Sequence, residues 1–338
     1  MPDPGSRPTV LEPGGTNAVG MTLGLVGDEW NLLILRYAMM GVRRYGEWRR
    51  ALPISHAVLT GRLAALTEAG VFKKTSTVSK RPEYRLTKRG RDLWPVLLTV
   101  WAWESAWVPD HAESLPVMVH RGCGSAFTPV LGCQACGAAT APRDVAGTFG
   151  PSGTWARSAP SGTTRRRVAS PSAGLFPQTM SLIGNRWSAA MLGGAFQGLH
   201  RFRDFERLLG APPAIVADRL RVFCDLGIFE QAPSADRADW STYHLTGKGR
   251  AFFPVVVTAI TWGQRWFLAP EGPALLYRHH GCGQDFLPRL ACGTCATALR
   301  GQDVVVQATS GPAALISPSS TSRRTDSRMA ASGEYPGS

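Results

Sequence analysis

Gly27-Asp28-Glu29-Trp30 recurs as Gly184-Asn185-Arg186-Trp187, an offset of 157 residues. At that offset Arg44-Tyr45 aligns with Arg201-Phe202, Arg62-Leu63 with Arg219-Leu220, and Gly70 and Phe72 with Gly227 and Phe229. Beyond this the offset becomes 159. Tyr84, Leu86, Thr87, Gly90, Arg91 and Pro95 then align with Tyr243, Leu245, Thr246, Gly249, Arg250 and Pro254, and Trp103 and Trp107 with Trp262 and Trp266. Chance does not hold so many residue types in one register, so the chain is a tandem duplication with two extra residues in the second copy. The copies run from Ala18 to Ala146 and from Leu175 to Val305.

Within the first copy, Leu23, Val26, Trp30, Leu33 and Ile34 recur at helical spacing and predict a helix ending near Gly41. Tyr45 and Trp48 predict a short second helix that leaves Arg43, Arg44, Arg49 and Arg50 exposed and is closed by Pro53. Ser55 suits the N-cap of a third helix with Val58, Leu59, Leu63 and Leu66 on one face, ended by Gly70. Val71–Val78 and Glu83–Leu86 read as two strands around a turn. Thr87 then caps a long apolar helix with Pro95 early in it, where its missing N–H costs least. Helix, helix, recognition-type helix, β-ribbon, helix is the layout of a winged helix-turn-helix. The fold class expected is mainly α with small β-wings (α+β), in two tandem domains.

The residues point further. Gly-Asp-Glu-Trp with Leu-Leu-Ile-Leu, then Arg-Arg-Tyr-Gly-Glu-Trp, Leu-Thr-Gly-Arg-Leu-Ala-Ala-Leu-Thr-Glu-Ala-Gly-Val-Phe and Tyr-Arg-Leu-Thr-Lys-Arg-Gly-Arg resemble the HxlR family of bacterial transcriptional regulators. The likeness covers Leu23–Trp107 and, less tightly, Leu182–Trp266. It implies dimers that pair through their terminal helices on inverted-repeat operators, so two copies in one chain look like a covalent pseudo-dimer. Many members carry a redox-sensing Cys ahead of the first helix. Thr16 and Ala173 stand there in this chain, which argues against that mode of sensing.

A recognition helix presents its outward residues to base edges while flanking cations hold phosphates. The candidates are Ser55, His56, Thr60 and Arg62 on the helix, Arg43 and Arg44 before it, and Lys73, Lys74, Lys80 and Arg81 on the wing. Arg201, Arg203 and Arg219 are their counterparts in the second copy. Because Arg62 recurs as Arg219, a structural ion pair or a phosphate contact suits it better than base reading. His56 and Thr60, which differ between copies, suit specificity better. The first wing, Val71–Arg85, carries a net +4 and the second, Ile228–His244, a net −2. Phosphate contact therefore favours the first copy.

His120-x2-Cys123-x9-Cys133-x2-Cys136 recurs as His279-x2-Cys282-x9-Cys292-x2-Cys295. Read within each copy, four such ligands suit a closed, structural zinc site, a ribbon-like appendage to each winged helix. Metal-free thiols or disulfides are an alternative, made awkward by three Cys per copy. Redox catalysis is another, weakened because Cys292-Gly-Thr-Cys295 lacks a thioredoxin-like βαβ setting. His280 could substitute for His279. Cys224, at the position of Thr67, reads as an inert thiol.

Composition limits the remaining classes. The 338 residues carry a net +13, divided −1, +6, +4, +3 and +1 over 1–17, 18–146, 147–174, 175–305 and 306–338. Gly and Pro make up about 18% of the chain against a usual ~12%. That excess predicts a flexible N-terminal tail (1–17), a flexible basic linker (147–174) and a disordered C-terminal tail (306–338) around winged helices at 18–110 and 175–269 and appendages at 111–146 and 270–305. The apolar runs Leu93–Trp103 and Phe252–Trp262 are too short to span a bilayer, so no membrane is expected and the location expected is cytoplasmic. Trp94, Trp101, Trp103 and Trp107, with Phe252, Phe253, Trp262 and Trp266, form aromatic stripes that read as core and inter-copy interface, or as the lining of a small-molecule effector pocket. No catalytic constellation appears, so an enzyme is not expected. The partner expected is double-stranded DNA on an asymmetric operator; a protein- or small-molecule-sensing module is the alternative, and further homodimerisation stays open.

Overall fold

The computed structural model describes residue 5 and residues 7–75, 82–109, 111, 114–159, 176–234 and 240–307. A strand, β1 (Thr9–Val10), precedes the first copy, which comprises α1 (Ala18–Val26), α2 (Glu29–Met39), α3 (Tyr45–Ala51), α4 (His56–Glu68), the wing β2 (Phe72–Thr75) and β3 (Glu83–Leu86), α5 (Lys88–Arg91) and α6 (Trp94–Trp107). Its appendage holds β4 (Val117–His120), β5 (Pro129–Cys133) and β6 (Val145–Phe149), and α7 (Trp155–Ser158) follows. The second copy repeats the order as α8 (Pro177–Ile183), α9 (Arg186–Phe196), α10 (Phe202–Leu209), α11 (Pro213–Asp225), β7 (Phe229–Pro233), β8 (Ser241–Leu245), α12 (Gly247–Arg250) and α13 (Phe253–Trp266). It continues with β9 (Phe267–Leu268), β10 (Leu275–His279), β11 (Pro288–Cys292) and β12 (Val304–Gln307).

Two helices expected to be continuous are each broken. The first splits at Gly27 into α1 and α2, bent by 78°, because the Asp28 side chain accepts the Asn31 N–H and starts a new helix. The last splits into α5 and α6, with Pro95 in the first turn of α6, where a missing N–H is tolerated. On α4, Ser55 caps the N-terminus as expected, and Leu59, Leu63 and Leu66 are fully buried. Val58, placed on that same face by periodicity, instead points outward and is 36% exposed.

The copies meet about an approximate two-fold axis. Strand β5 pairs antiparallel with β11 so that Leu131 faces Leu290, its own counterpart 159 residues on. Where α6 packs on α13, the hydroxyls of Thr99 and Thr258, again counterparts, lie 3.3 Å apart. Trp103 donates its indole N–H to the Lys248 carbonyl of the other copy at 3.1 Å, and Trp262 donates to the Arg89 carbonyl at 3.0 Å. The aromatic stripes are thus mostly core and interface. The remaining appendage strands also pair between copies, β4 with β12 and β6 with β10. Among the described strands, the wings β2–β3 and β7–β8 pair within a copy.

Close contact between α1 and α13 requires a glycine. A Cβ on Gly263 of α13 would sit 1.9 Å from Thr22 Oγ1 and 2.9 Å from the Ala18 carbonyl of α1. Gly263→Ala is expected to cost about 1–3 kcal/mol, since backbone must shift to admit it; the urea midpoint of the variant checks this.

The flexible-tail expectations need correction. Residues 7–15 form a strap: β1 pairs parallel with β9, and the buried Arg89 donates to the Arg7 carbonyl (2.8 Å) and Thr9 Oγ1 (3.0 Å). Arg157 donates to the Gly15 carbonyl and pairs with Glu271, which accepts the Gly14 N–H. Residues 147–159 of the expected linker likewise belong to β6 and α7, with Asn17 donating to the Ser152 carbonyl and Ser158 Oγ. Composition misleads here because these segments satisfy their polar groups against distant parts of the chain and need few apolar anchors, Leu11 in one and Trp155 in the other. The arginine runs at 165–167 and 323–324 lie outside the described residues.

Beside the axis, Glu104 is fully buried and accepts the Thr179 N–H at 2.7 Å, while its other oxygen is unpartnered; His111 Nε2 lies 3.8 Å away and Lys248 is near. Burial raises its pKa, outweighing the bonds from Thr179. The folded state therefore favours the protonated form. Stability is lost as pH climbs from the ordinary carboxylate pKa to the raised one. Glu104→Gln is expected to be more stable than the parent chain at pH 7, with the difference shrinking towards pH 4.5 in paired urea titrations.

Candidate metal centres and nucleic-acid interface

The strand exchange decides which cysteines meet. Because β5 runs antiparallel to β11, Cys133 pairs in register with Pro288 and Cys292 with Pro129, so the two Cys-x2-Cys turns lie at opposite ends of the pair. The His-x2-Cys turns follow β4 and β10, whose partners are β12 and β6. Two clusters result: His120, Cys123, Cys292 and Cys295; and Cys133, Cys136, His279 and Cys282. The expected grouping within each copy is therefore wrong, although all eight residues are the expected ones. Identical spacing in both copies leaves the partition undetermined in sequence; only the pairing of strands between copies settles it.

The geometry fits an ion. In the first cluster His120 Nδ1 lies 3.3 Å from both Cys123 Sγ and Cys295 Sγ, with Cys123 and Cys292 4.0 Å apart. In the second, His279 Nδ1 lies 3.2 Å from Cys282 Sγ and 3.5 Å from Cys136 Sγ, with Cys133 and Cys282 4.0 Å apart. A tetrahedral ion with bonds of about 2.0–2.3 Å sets its ligands about 3.5–3.8 Å from one another. A sulfur separation of 4.0 Å is twice a disulfide bond's ~2.05 Å, and the cysteines are free. Both clusters could hold a metal ion.

The turns are shaped for this. A Cβ at Gly122 would come within 2.9 Å of the His120 ring, so glycine lets the imidazole fold over its own turn. Gly137 adopts φ 76°, and its counterpart Ala296 holds φ 57°. The side chain and N–H of Thr297 pull the Cys295 thiol down to about 6, towards the thiolate that metal binding needs. Cys224 behaves oppositely: half-buried on α11, its thiol is pushed up by burial, as befits an unactivated side chain.

On the winged helices, α3 and α4 present one exposed face in the first copy. Ser55, His56, Val58 and Thr60 are exposed, and Tyr45 Oη lies 2.7 Å from His56 Nδ1 and 3.4 Å from Thr60 Oγ1. Helical spacing in the sequence misses Tyr45 and Val58 here, because it assigns the first to the core and the second to the apolar stripe. Arg62 lies apart from this face. Its guanidinium grips Asp28 at 2.7 and 3.0 Å, tying α4 to the start of α2.

Charges on the wing are partly neutralised within the protein. Arg44 (3.1 Å) and Arg85 (2.8 Å) share the buried Glu83, whose carboxyl is held low by Arg85 against the effect of burial, with Arg44 assisting. Arg43 and Lys74 are exposed beside it, and Lys73 is half-buried on β2. Lys80 and Arg81 lie outside the described residues. In the second copy, Asn185 replaces Asp28, and Arg219 pairs with its neighbour Asp218, which also pairs with Arg221. Arg201 caps α10 and Arg203 lies in its first turn, both exposed, with Arg203 over the Trp240 ring at 5.3 Å, and α11 opens with exposed Pro213 and Ala214.

The profile of the HxlR-like helix-turn-helix family matches residues 25–112 and again 182–270. The chain belongs to this family. Among relatives, the uncharacterized HTH-type transcriptional regulator Rv3095 of Mycobacterium tuberculosis is 35% identical over 127 residues, 38% of this chain and 80% of that one. An uncharacterized HTH-type transcriptional regulator of Synechocystis, sll1512, is 31% identical over 115 residues, 33% of this chain and 85% of its own. Among solved structures, PA1607 aligns at 30% identity over 43% of this chain and 99% of its own, with a TM-score of 0.35. DNA-binding transcription regulation is the activity of the HxlR-like family. The double match assigns one helix-turn-helix to each copy of this HxlR-like chain, with a Cys/His segment after each. Among the described residues no single helix is long and apolar enough to cross a membrane.

Proposed function

We propose that this chain is a sequence-specific DNA-binding transcriptional regulator working as a covalent pseudo-dimer, with zinc as the structural ion of both centres. The observation that carries it is the two-fold register between the copies, in which Leu131 meets Leu290 and Thr99 meets Thr258. A two-fold arrangement presents two recognition helices to half-sites about one DNA turn, ~34–36 Å, apart. Zinc is favoured by the Cys3His donor set and by ligand spacing that suits a closed tetrahedron. A closed four-ligand centre organises structure rather than catalysing a reaction.

In this reading the first copy supplies most of the DNA affinity. His56, Val58 and Thr60 read base edges, with the Val58 methyl groups suited to thymine, and Ser55, Arg43, Lys73, Lys74, Lys80 and Arg81 hold the backbone. Arg62 positions the recognition helix through Asp28, and Arg44 braces the wing through Glu83. Arg201, Arg203 and Arg219 contribute weakly from a copy whose wing is acidic. A gel-shift titration against DNA upstream of the chain's own gene tests this: one preferred asymmetric site and a steep loss of binding with salt are expected, and no preference over random duplex would refute it.

A further inference from the structure

An apolar cavity opens between α1, α9, α13 and the β6–β10 pair, with about 1090 Å³ of empty space including its mouth. Its walls include Leu23, Val26, Phe196, Phe253 and Ile260. Phe253 alone of the aromatic stripes reaches it. The cavity exists because the copies differ on one helix. Ala189, Ala190 and Gly193 of α9 stand where α2 carries Leu32, Leu33 and Arg36, and there Leu32 and Leu33 are packed to 1% and 4% exposure.

Thr22, Ser158, Gln197, Tyr277 and Arg186 break the apolar lining, and the hydroxyls of Thr22 and Ser158 are already engaged by the Ala18 carbonyl and the Asn17 amide. Tyr277 lies across Gly147, whose absent Cβ would come 3.0 Å from its ring, and its hydroxyl makes no hydrogen bond among the described residues. Arg186 is exposed at the rim, where its guanidinium lies over the Trp187 ring at 4.2 Å, and it has no carboxylate partner among the described residues. On the far side Trp155 closes the wall opposite Gly193, 3.4 Å from where a Cβ would stand. The combination is a cavity lined by Phe149, Trp155, Phe196 and Phe253, with the Tyr277 hydroxyl left to bond a ligand and one cation at the entrance.

We infer that this cavity is a binding site for a planar, largely apolar small molecule bearing an anionic group, of the aromatic carboxylate or sulfonate class, with Arg186 holding the anion and Tyr277 a polar atom of the ring system. Occupancy would reach DNA through α9, which packs directly on recognition helix α11. That consequence rests on the function proposed above; occupancy itself does not.

The test is a fluorescence titration of the full, metal-loaded chain with 8-anilinonaphthalene-1-sulfonate, compared with the neutral N-phenyl-1-naphthylamine. One saturable site is expected for both probes. Gly193→Leu, which fills the cavity, is expected to weaken both at least about tenfold, and Tyr277→Phe to weaken the sulfonate about fivefold. Arg186→Gln is expected to weaken the sulfonate about fivefold and leave the neutral probe unchanged. If Gly193→Leu alters the circular dichroism, Ala190→Leu replaces it, restoring the residue that the first copy tolerates. Unchanged affinity in a folded cavity-filling variant, or an equal effect of Arg186→Gln on both probes, overturns the assignment. A chain that binds the probe but shifts no DNA would instead refute the regulator reading and leave this site standing.

Discussion

A chain carrying Cys123→Ser and Cys292→Ser is expected to retain about one zinc per molecule, whereas one carrying Cys123→Ser and Cys133→Ser is expected to retain almost none. Both variants lose two thiols, so composition cannot distinguish them. The difference lies in where the thiols sit. Cys123 and Cys292 belong to one cluster, and their loss leaves Cys133, Cys136, His279 and Cys282 intact. Cys123 and Cys133 belong to different clusters, and their joint loss leaves two incomplete centres. Centres confined to one copy would reverse the outcome. Metal released to a colorimetric chelator, counted per chain after desalting, reads the result. Because apparent zinc binding in small structural sites is worth about 10–16 kcal/mol, the doubly damaged chain should also unfold far earlier on heating.

Substituting Lys73, Lys74 and Arg81 with Ala is expected to weaken DNA binding by about ten- to a hundredfold near 0.1 M salt and to flatten the plot of log K against log salt by about 2–3. Each phosphate that the protein ceases to neutralise takes roughly 0.9 from that slope, so slope and affinity should fall together. Arg201→Ala with Arg203→Ala is expected to cost less than about threefold, because the wing of that copy carries a net −2. Equal losses from the two sets would remove the assigned division of labour. Arg62→Ala differs in kind: it frees Asp28 at the start of α2 and should lower thermal stability as well as affinity, without changing which base is preferred.

Much of this architecture is legible in the sequence, because repetition supplies a second witness to every motif. The recognition helix, the wing strands and the eight clustered Cys and His residues can all be found by comparing the copies, whereas the Ser55 cap, which aligns with Pro212, is legible from its own helix alone. What stays hidden depends on partners far away in the chain. Nothing local in Thr9–Val10 signals a strand, since its hydrogen bonds go to Phe267–Leu268, more than 250 residues on. The break at Gly27 is carried by a single capping carboxylate inside an otherwise helical apolar pattern. The cavity is foreshadowed by Ala189, Ala190 and Gly193 against Leu32, Leu33 and Arg36, but only the fold shows that this face points inward.

The exchange of strands between the appendages sets an order of events during synthesis. When the first copy leaves the ribosome, β4, β5 and β6 lack their partner strands, and each Cys/His cluster holds only two of its four residues. Those edges stay open until the rest of the chain, through residue 307, has emerged. Until then they can pair equally well with a neighbouring nascent chain. The covalent path between the copies answers this by raising the local concentration of the correct partner. Lengthening that path should therefore divert newly made chains into reciprocally paired two-chain assemblies whose metal centres are complete.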